Sequence, residues 1–228
     1  ANACLKLENL PFASDKSVSL VSGDEDDASA EYIFPAVKGV VTIETKVHPE
    51  DEGFRELLVR WFQWGCYCPV MRLHGDRQPG GPIHRKDGRE HLFSGTDNEV
   101  WSFGEEAYPI LVKYLNRREE LRDYVRGLMK QAHEEGTPLL RAMFYEFPED
   151  AQAWRTEDCY MFGPDMLVAP VMEPGVTERS IYLPVGSTWK DAYTGKIYEG
   201  GQTVTVPAPI DVIPVMLRDN ADYPIYTE

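Results

Sequence analysis

The sequence predicts an α+β protein in which a helix-rich middle segment lies between two β-rich segments. Residues 1–49 contain short runs with alternating and β-branched side chains. Residues 50–157 carry apolar side chains at helical spacing, and residues 158–228 return to short β-branched runs separated by turn residues. These three observations also place the segment boundaries after residues 49 and 157.

The N-terminal segment predicts antiparallel strands. Residues 5–7 and 39–47 alternate between apolar and polar side chains, and residues 18–21 form a short apolar run. Residues 24–27 (DEDD) are acidic, and carboxylate oxygens are ligands for Ca²⁺. This stretch lacks the D-x-[DN]-x-[DN]-G spacing of a calcium loop, so a solvated loop is the favoured interpretation.

The middle segment predicts two long helical patterns and a loop between them. Apolar residues at helical spacing over 54–62 indicate an amphipathic helix, and an apolar stripe over 111–132 indicates a second helical region. Residues 78–95 are rich in Gly, Pro and charge and predict a long loop. The Gly-Thr-Pro at 136–138 is a helix stop signal, and residues 139–147 predict a buried strand.

The C-terminal segment predicts a small antiparallel β-sandwich. Its strand-like runs are residues 166–169, 180–183, 202–206 and 212–217. Turn residues separate them, and short strands at this spacing are typical of a sandwich.

Composition and charge exclude several classes of protein. The chain of 228 residues is 43% hydrophobic and 27% charged, which is unlike a disordered tail or a coiled coil. Its formal net charge of −15 repels phosphate groups, so we expect neither nucleic-acid nor membrane partners. No apolar run reaches the roughly 18–20 residues of a membrane span. The start, Ala-Asn-Ala-Cys, suggests a processed chain or an excised piece.

The four cysteines predict free thiols. Cys66 and Cys68 are separated by one residue and lack the C-x-x-C spacing of redox and zinc sites. We expect buried or semi-buried thiols, which are compatible with a reducing compartment. The expected location is cytoplasmic, with export of the parent protein as the alternative.

Seven sequence words between residues 54 and 220 follow one another in a specific order. They are 56–65 (ELLVRWFQWG), 69–75 (PVMRLHG), 95–106 (GTDNEVWSFGEE), 136–138 (GTP) before 144–150 (FYEFPED), 161–171 (MFGPDMLVAPV), 189–195 (WKDAYTG) and 207–215 (PAPIDVIPV). Together they resemble the C-terminal part of glycoside hydrolase family 31, a family of retaining α-glucosidases and α-xylosidases. The long loop and the third word resemble the α-xylosidase branch most.

The resemblance implies part of a (β/α)₈ catalytic barrel followed by a sandwich. A whole barrel needs about 250 residues, so we expect only its last one or two βα units over 50–157 and the sandwich domain over 158–228. In the family the catalytic aspartates, a nucleophile and an acid/base, lie upstream of the Arg-Trp-x-Gln-x-Gly word. Neither motif is recognisable here, so we expect no catalytic residue in this chain. Residues 1–49 more faintly resemble an edge of a concanavalin-type or jelly-roll sandwich.

His74 and Arg72 are the candidate substrate-binding residues. The family residue that matches His74 reaches the −1 sugar from the end of a barrel strand, and an imidazole can donate a hydrogen bond to a sugar hydroxyl. The alternative for His74 is a hydrogen-bond network at the strand end. Arg72, two residues earlier on the same strand, is expected to order the site, with a structural ion pair as the alternative.

Other prominent side chains receive structural interpretations. Asp97 and Glu99 are expected to cap or brace the helix that follows them. Trp61 and Trp64, three residues apart on a predicted helix, are expected to pack in the core rather than to form a sugar-stacking surface. The histidines show no metal-ligand spacing, so we expect no metal and no cofactor.

The expected function is hydrolysis of terminal α-linked xylose or glucose from oligosaccharides by a retaining mechanism, with the catalytic aspartates outside this chain. One alternative is a non-catalytic carbohydrate-binding or structural module derived from such an enzyme. Another is a non-functional product of gene fusion or of misassembled sequence. Because an incomplete barrel leaves strand edges and apolar helix faces uncovered, we also expect the chain to form homo-oligomers, aggregate, or pack these faces against its own sandwich.

Overall fold

The structure, a computed structural model, describes residues 53–73 and 99–226, together with the backbone of residues 4–8, 17–21, 52, 83–84 and 90–91. The helices are α1 (Glu52–Cys66), α2 (Ala107–Glu120), α3 (Arg122–Glu135) and α4 (Met143–Glu146), with 3₁₀ turns at Val100–Phe103 and Ala153–Arg155. Within these residues, no helix combines the length and the apolar character that a membrane span requires.

The strands lie mainly at the two ends of the chain. They are β1 (Cys4–Glu8), β2 (Ser17–Val21), β3 (Ile83–His84), β4 (Glu90–His91), β5 (Leu140–Arg141), β6 (Tyr160–Phe162), β7 (Met166–Val168), β8 (Glu178–Leu183), β9 (Thr188–Asp191), β10 (Ile197–Glu199), β11 (Gln202–Pro207) and β12 (Val215–Arg218). The described strands pair antiparallel, so the predicted α+β class is confirmed.

The chain divides into two compact units. One comprises Ala1–Gly53 and Gly75–Asp97, and the other comprises Phe54–His74 and Asn98–Glu228. In the first unit β1 pairs with β2, which confirms the strands predicted at 5–7 and 18–21. The predicted 78–95 loop contains the short pair β3 and β4. The strand predicted at 39–47 and the acidic loop at 24–27 lie outside the described residues.

A six-stranded antiparallel sheet organises the second unit. Its strand order is β10-β9-β12-β7-β6-β5, and β8 and β11 form a separate antiparallel ribbon. Successive side chains of a strand point to opposite faces of a sheet. On β7, Met166 and Val168 accordingly join one core, whereas Leu167 joins another. This alternation places a buried core on each face of the sheet.

The helix-side core lies between the sheet and helices α1 to α3. It includes Val59, Leu111, Leu121, Val125 and Leu128 from the helical region and Phe162, Met166, Val168, Val215 and Leu217 from the sheet. The ribbon-side core lies on the opposite face. It includes Met161, Leu167, Trp189 and Met216 from the sheet and Ile181, Leu183, Val204 and Val206 from the ribbon.

Helix α1 has apolar side chains on two faces, and only one of them is buried. Val59, Phe62 and Cys66 recur at i, i+3 and i+7 and pack into the helix-side core. Trp61 and Trp64 lie on the outer face, where they are 55% and 36% exposed and meet edge to face with ring centroids 5.4 Å apart. The prediction that these tryptophans belong to the core is therefore wrong.

Helix α1 is attached to the loops of the sandwich through Arg60. Its guanidinium donates to the carbonyl oxygens of Pro209 at 3.0 Å, Val212 at 2.9 Å, Ala208 at 2.9 Å and Val176 at 3.3 Å. Helix and sandwich segments therefore share both hydrogen bonds and the helix-side core. The domain boundary at 157/158 stays a prediction.

The apolar stripe over 111–132 belongs to two helices rather than one. Leu121 interrupts it with φ −82° and ψ 2°, although its N–H still donates to the Arg117 carbonyl. No Gly or Pro marks this break, which is why the hydrophobic pattern does not reveal it. Gly136 ends α3 in the left-handed region, at φ 71°, and its N–H donates to the Ala132 carbonyl, so the predicted stop is confirmed.

The buried strand predicted over 139–147 is mostly a different structure. Only Leu140–Arg141 form a strand, β5, and the short helix α4 follows. The Arg141 side chain donates to the Pro138 carbonyl at 2.7 Å and to the carboxylate of Glu146. These side-chain bonds draw the chain into a turn, so an apolar run of strand length is divided between two elements.

Candidate functional site

The two predicted site residues lie where the chain has just left α1. Arg72 is exposed, and residues 71–73 have no regular secondary structure, so the predicted strand is absent at this point. Within the described part of the chain, the structure records no ion pair or hydrogen bond to Arg72. His74 lies outside the described residues, and its role stays a prediction.

A short turn, residues 66–69, connects α1 to this segment. The Arg118 guanidinium donates to the carbonyl oxygens of Cys66 at 2.8 Å, Cys68 at 2.6 Å and Pro69 at 2.9 Å. The remaining carbonyl of the turn, that of Tyr67, accepts a hydrogen bond from the hydroxyl of Tyr160 at 2.9 Å. Burial raises the pKa of Tyr160, so its hydroxyl stays protonated and able to donate.

An open groove of about 350 Å³ lies beside the turn. It is lined by Phe62, Met71, Leu73, Val100, Leu115, Arg118 and Glu119. Apolar walls with a few polar groups are typical of small-molecule sites, and the volume falls within the range of about 300–1,000 Å³. Met71 and Leu73 flank Arg72 in sequence, whereas the exposed Arg72 is adjacent to the groove along the chain and does not itself line it.

Of the two residues predicted to cap a helix, the structure describes Glu99. Glu99 immediately precedes the 3₁₀ turn at Val100–Phe103, but its carboxylate forms no cap hydrogen bond. Its backbone carbonyl instead accepts a hydrogen bond from the hydroxyl of Ser102 at 2.6 Å. Of the two predicted roles, cap or brace, the side-chain cap is therefore wrong for Glu99, and Asp97 lies outside the described residues. Trp101, in the same turn, is 65% exposed.

The buried carboxylates of the described residues stabilise loops. Asp191 accepts hydrogen bonds from the Tyr193 N–H at 3.0 Å and the Thr194 hydroxyl at 2.6 Å. Asp150 accepts four hydrogen bonds from neighbouring donors. Retaining glycosidases use two carboxyl groups about 5–5.5 Å apart to attack and protonate the substrate. Both of these aspartates are instead occupied by hydrogen bonds from neighbouring loops and strands of the second unit.

The thiols are poorly suited to nucleophilic chemistry. Cys66, Cys68 and Cys159 are free, as predicted, and Cys66 and Cys159 are buried. Burial raises the pKa of both Cys66 and Cys159 to about 12 and also raises that of Cys68, so the reactive thiolate is scarce near neutral pH. In the described part of the chain, no group of three or more His, Cys, Asp or Glu side chains is arranged to hold a metal ion.

Two models of one protein family match the chain. Residues 48–128 match the glycosyl hydrolases family 31 TIM-barrel domain, and residues 136–221 match the glycosyl hydrolase family 31 C-terminal domain. The matched class is thus a glycosyl hydrolase that joins a TIM-barrel domain to a C-terminal domain. The chain belongs to glycoside hydrolase family 31. This confirms the resemblance, and it identifies helices α1 and α2 as barrel-domain elements.

Individual relatives agree with this assignment. The α-xylosidase of Saccharolobus solfataricus is 32% identical over 78% of this chain and 22% of its own length. Alpha-glucosidase 2 of Bacillus thermoamyloliquefaciens is 32% identical over 73% of this chain and 19% of its own length. A family 31 α-xylosidase from a soil metagenome, solved with xylose, is 48% identical with a TM-score of 0.74, over 76% of this chain and 26% of that structure. The chain therefore spans about a fifth of the curated relatives it matches.

Arg118 and Tyr160 are the residues of this site that sequence reasoning missed. Arg118 follows another arginine in the last turn of α2, where basic side chains usually interact with the helix dipole and solvent. Tyr160 lies in β6, 42 positions further along the chain. Their meeting at residues 66–69 depends on tertiary packing, for which neither residue carries a local signal.

Proposed function

We propose that this chain contributes part of the sugar site of a retaining α-glycosidase that removes terminal α-linked xylose or glucose from oligosaccharides. The observation that carries the proposal is the 48% identity to the α-xylosidase solved with xylose, over 76% of this chain. Arg72 and His74 are the proposed substrate-binding residues. Both polar side chains can donate hydrogen bonds to sugar hydroxyls.

The position of the groove supports this proposal. Its apolar walls suit the C–H faces of a pyranose, and Arg118 and Glu119 provide polar groups at its edge. The proposed division of roles is that this chain binds and orients the sugar, whereas the carboxyl pair that cleaves the glycosidic bond comes from barrel sequence outside it. In that mechanism one carboxylate attacks the anomeric carbon and the other protonates the leaving oxygen.

Sugar binding by the purified chain tests the proposal. Xylose, glucose and mannose would be titrated into ¹⁵N-labelled protein, with mannose as the control sugar. We expect xylose or glucose to shift the amide signals of residues 71–73 and 100, and Arg72→Ala and His74→Ala to weaken the response about tenfold, as loss of a hydrogen bond to a charged group does. No response to either sugar, or an equal response to mannose, would contradict the proposal.

A second candidate is a non-catalytic carbohydrate-binding module, favoured by the occupied state of the buried carboxylates Asp150 and Asp191. The two candidates differ when a family 31 barrel polypeptide that carries the catalytic aspartates is added. Release of nitrophenol from its α-xyloside only in the mixture, and its loss with His74→Ala, would support the enzyme. Binding without release in any mixture would support the module.

A further inference from the structure

Every carbonyl of the turn 66–69 is bound by a side chain from elsewhere in the fold. Arg118, at the end of α2, takes three of these carbonyls, and Tyr160, in β6, takes the fourth. The last carbonyls of a helix have no partner within the helix and usually face water. Four successive side-chain bonds therefore fix the direction in which the chain leaves α1.

We infer that Arg118 is a positioning residue that presents Arg72 at the edge of the groove. This inference rests on the proposed function, in which Arg72 binds the sugar. Only two residues separate Pro69, whose carbonyl Arg118 binds, from Arg72. A change in the backbone direction at the turn is therefore carried almost directly to the Arg72 side chain.

Arg118 also lines the groove, together with Met71 and Leu73. Arg118 thus contacts the chain before Arg72 and lines the groove beside it. Arg117, the preceding residue, makes a different interaction, since it is buried and paired with the carboxylate of Glu120. The positioning role belongs to one of two adjacent arginines because only Arg118 reaches the turn.

The chemistry of arginine suits this role better than that of lysine. A planar guanidinium holds several donors in a fixed fork and can bind three carbonyls from one position. A lysine ammonium keeps the charge at the helix C-terminus but lacks this fork. Arg118→Lys should therefore retain part of the effect, and Arg118→Met should lose all of it.

Amide hydrogen exchange at the turn provides the first test. The N–H groups of Tyr67 and Cys68 donate to the carbonyls of Trp64 at 3.0 Å and Gly65 at 3.2 Å, so their exchange reports opening of the turn. We expect Arg118→Met to accelerate this exchange about tenfold, as the loss of charge-assisted hydrogen bonds should. Exchange in β7 and β12 should stay unchanged. Unchanged amide exchange at Tyr67 and Cys68, or an equal acceleration of exchange in β7 and β12, would overturn the inference.

Arg122→Met is the matched control. Arg122 is an exposed arginine at the start of α3 that pairs with Glu119, and it makes no recorded bond to the turn. This variant should leave exchange at Tyr67 and Cys68 as it is in the unmodified chain. If Arg118→Met does not fold, Arg118→Lys and Tyr160→Phe provide the same test, with smaller accelerations confined to the turn.

Sugar affinity provides the second test and separates positioning from stability. We expect Arg118→Met to raise the xylose Kd about tenfold and Arg118→Lys to raise it less, whereas Arg126→Met, at an exposed position of α3 that does not line the groove, should leave it unchanged. No xylose response in the unmodified chain would overturn the proposed function. If the unmodified chain binds xylose and Arg118→Met binds it with the same Kd, this inference alone would be overturned.

Discussion

A single buried carboxylate, that of Asp150, joins two segments of the second unit. One oxygen accepts hydrogen bonds from the N–H groups of Gln152 at 2.9 Å and Ala153 at 3.3 Å. The other accepts from the Tyr182 hydroxyl at 2.7 Å and the Val185 N–H at 3.0 Å. The side chain thus links the 3₁₀ turn at Ala153–Arg155 to strand β8 and the loop after it.

These bonds make the stability of the fold depend on acidity. Burial alone raises the pKa of Asp150, but the hydrogen bonds that its charged form accepts outweigh burial, so the pKa is lowered overall. A carboxyl group with a lowered pKa in the folded state stabilises the protein fully above its unfolded pKa of about 4. That stabilisation is lost as the pH falls through the folded value.

Asp150→Asn tests this residue. We expect it to lower the free energy of unfolding by about 1–3 kcal/mol at pH 7. Both carboxylate oxygens accept hydrogen bonds, and in asparagine an NH₂ group, which is itself a donor, replaces one of them. Since Asp150 becomes protonated in acid, the difference from the unmodified chain should shrink as the pH falls through the lowered pKa of the folded state. Urea unfolding at pH 7 and at a series of acidic pH values measures the effect, with the exposed neighbour substitution Glu149→Gln as the control. An equal loss at every pH would contradict the interpretation.

Sequence reasoning at the residue scale succeeds for burial that follows from chemistry and fails for burial that depends on neighbours. The burial of Cys66 and Cys159 is predictable because free cysteine has a small apolar side chain. Helical spacing predicts Trp61 and Trp64 in the core, yet α1 has a second apolar face that is buried instead. Which face is buried depends on the helices and sheet packed against α1, and the spacing does not contain that information.

At the scale of elements, the β6–β7 turn and α3 pack too closely for any side chain at Gly163. This residue has φ 63°, in the left-handed region. A Cβ at this position would overlap the Tyr124 hydroxyl oxygen and would lie 2.8 Å from Leu128 Cδ2. The Tyr124 hydroxyl also donates to the Phe162 carbonyl at 2.8 Å, so it cannot move away without breaking that bond.

Gly163→Ala and Gly175→Ala separate the cost of backbone conformation from the cost of the clash. Gly175 has φ 72°, but no atom lies within 4 Å of the position that a Cβ would occupy, so its substitution should cost about 1 kcal/mol. Gly163→Ala should cost a further 1–3 kcal/mol, roughly the penalty of overpacking. Thermal unfolding measures both variants. Equal losses would show that α3 yields to the added methyl group.

Element types are predicted well where one pattern runs unbroken and poorly where side chains redirect the chain. The strands β7, β8 and β11 and the helix α1 match their predicted regions. The division between α2 and α3 at Leu121 escapes prediction because it involves no helix-breaking residue. The apolar run over 139–147 predicts a strand, although the bonds of Arg141 turn much of it into α4.

At the scale of the whole second unit, one sheet separates two cores. The barrel-domain helices cover one face, and the β8–β11 ribbon covers the other. The sequence indicates a helical segment and a sandwich, but hydrophobic periodicity does not specify which elements share a core. The sequence predicts that uncovered apolar helix faces cause association between chains or pack against the chain's own sandwich. Helices α1 to α3 pack apolar faces against the sheet, whereas the outer face of α1 stays exposed.

If the helices and the sheet form one cooperative structure, weakening a helix should weaken the sheet. Leu111 is fully buried in the helix-side core, so Leu111→Ala should cost about 3 kcal/mol. We expect amide exchange to accelerate together in α2, β7 and β12, because all three depend on the same core. Leu115→Ala, one helical turn away at a 43% exposed position, should change exchange little. Acceleration confined to α2 would instead show that the sheet retains its structure without the helices.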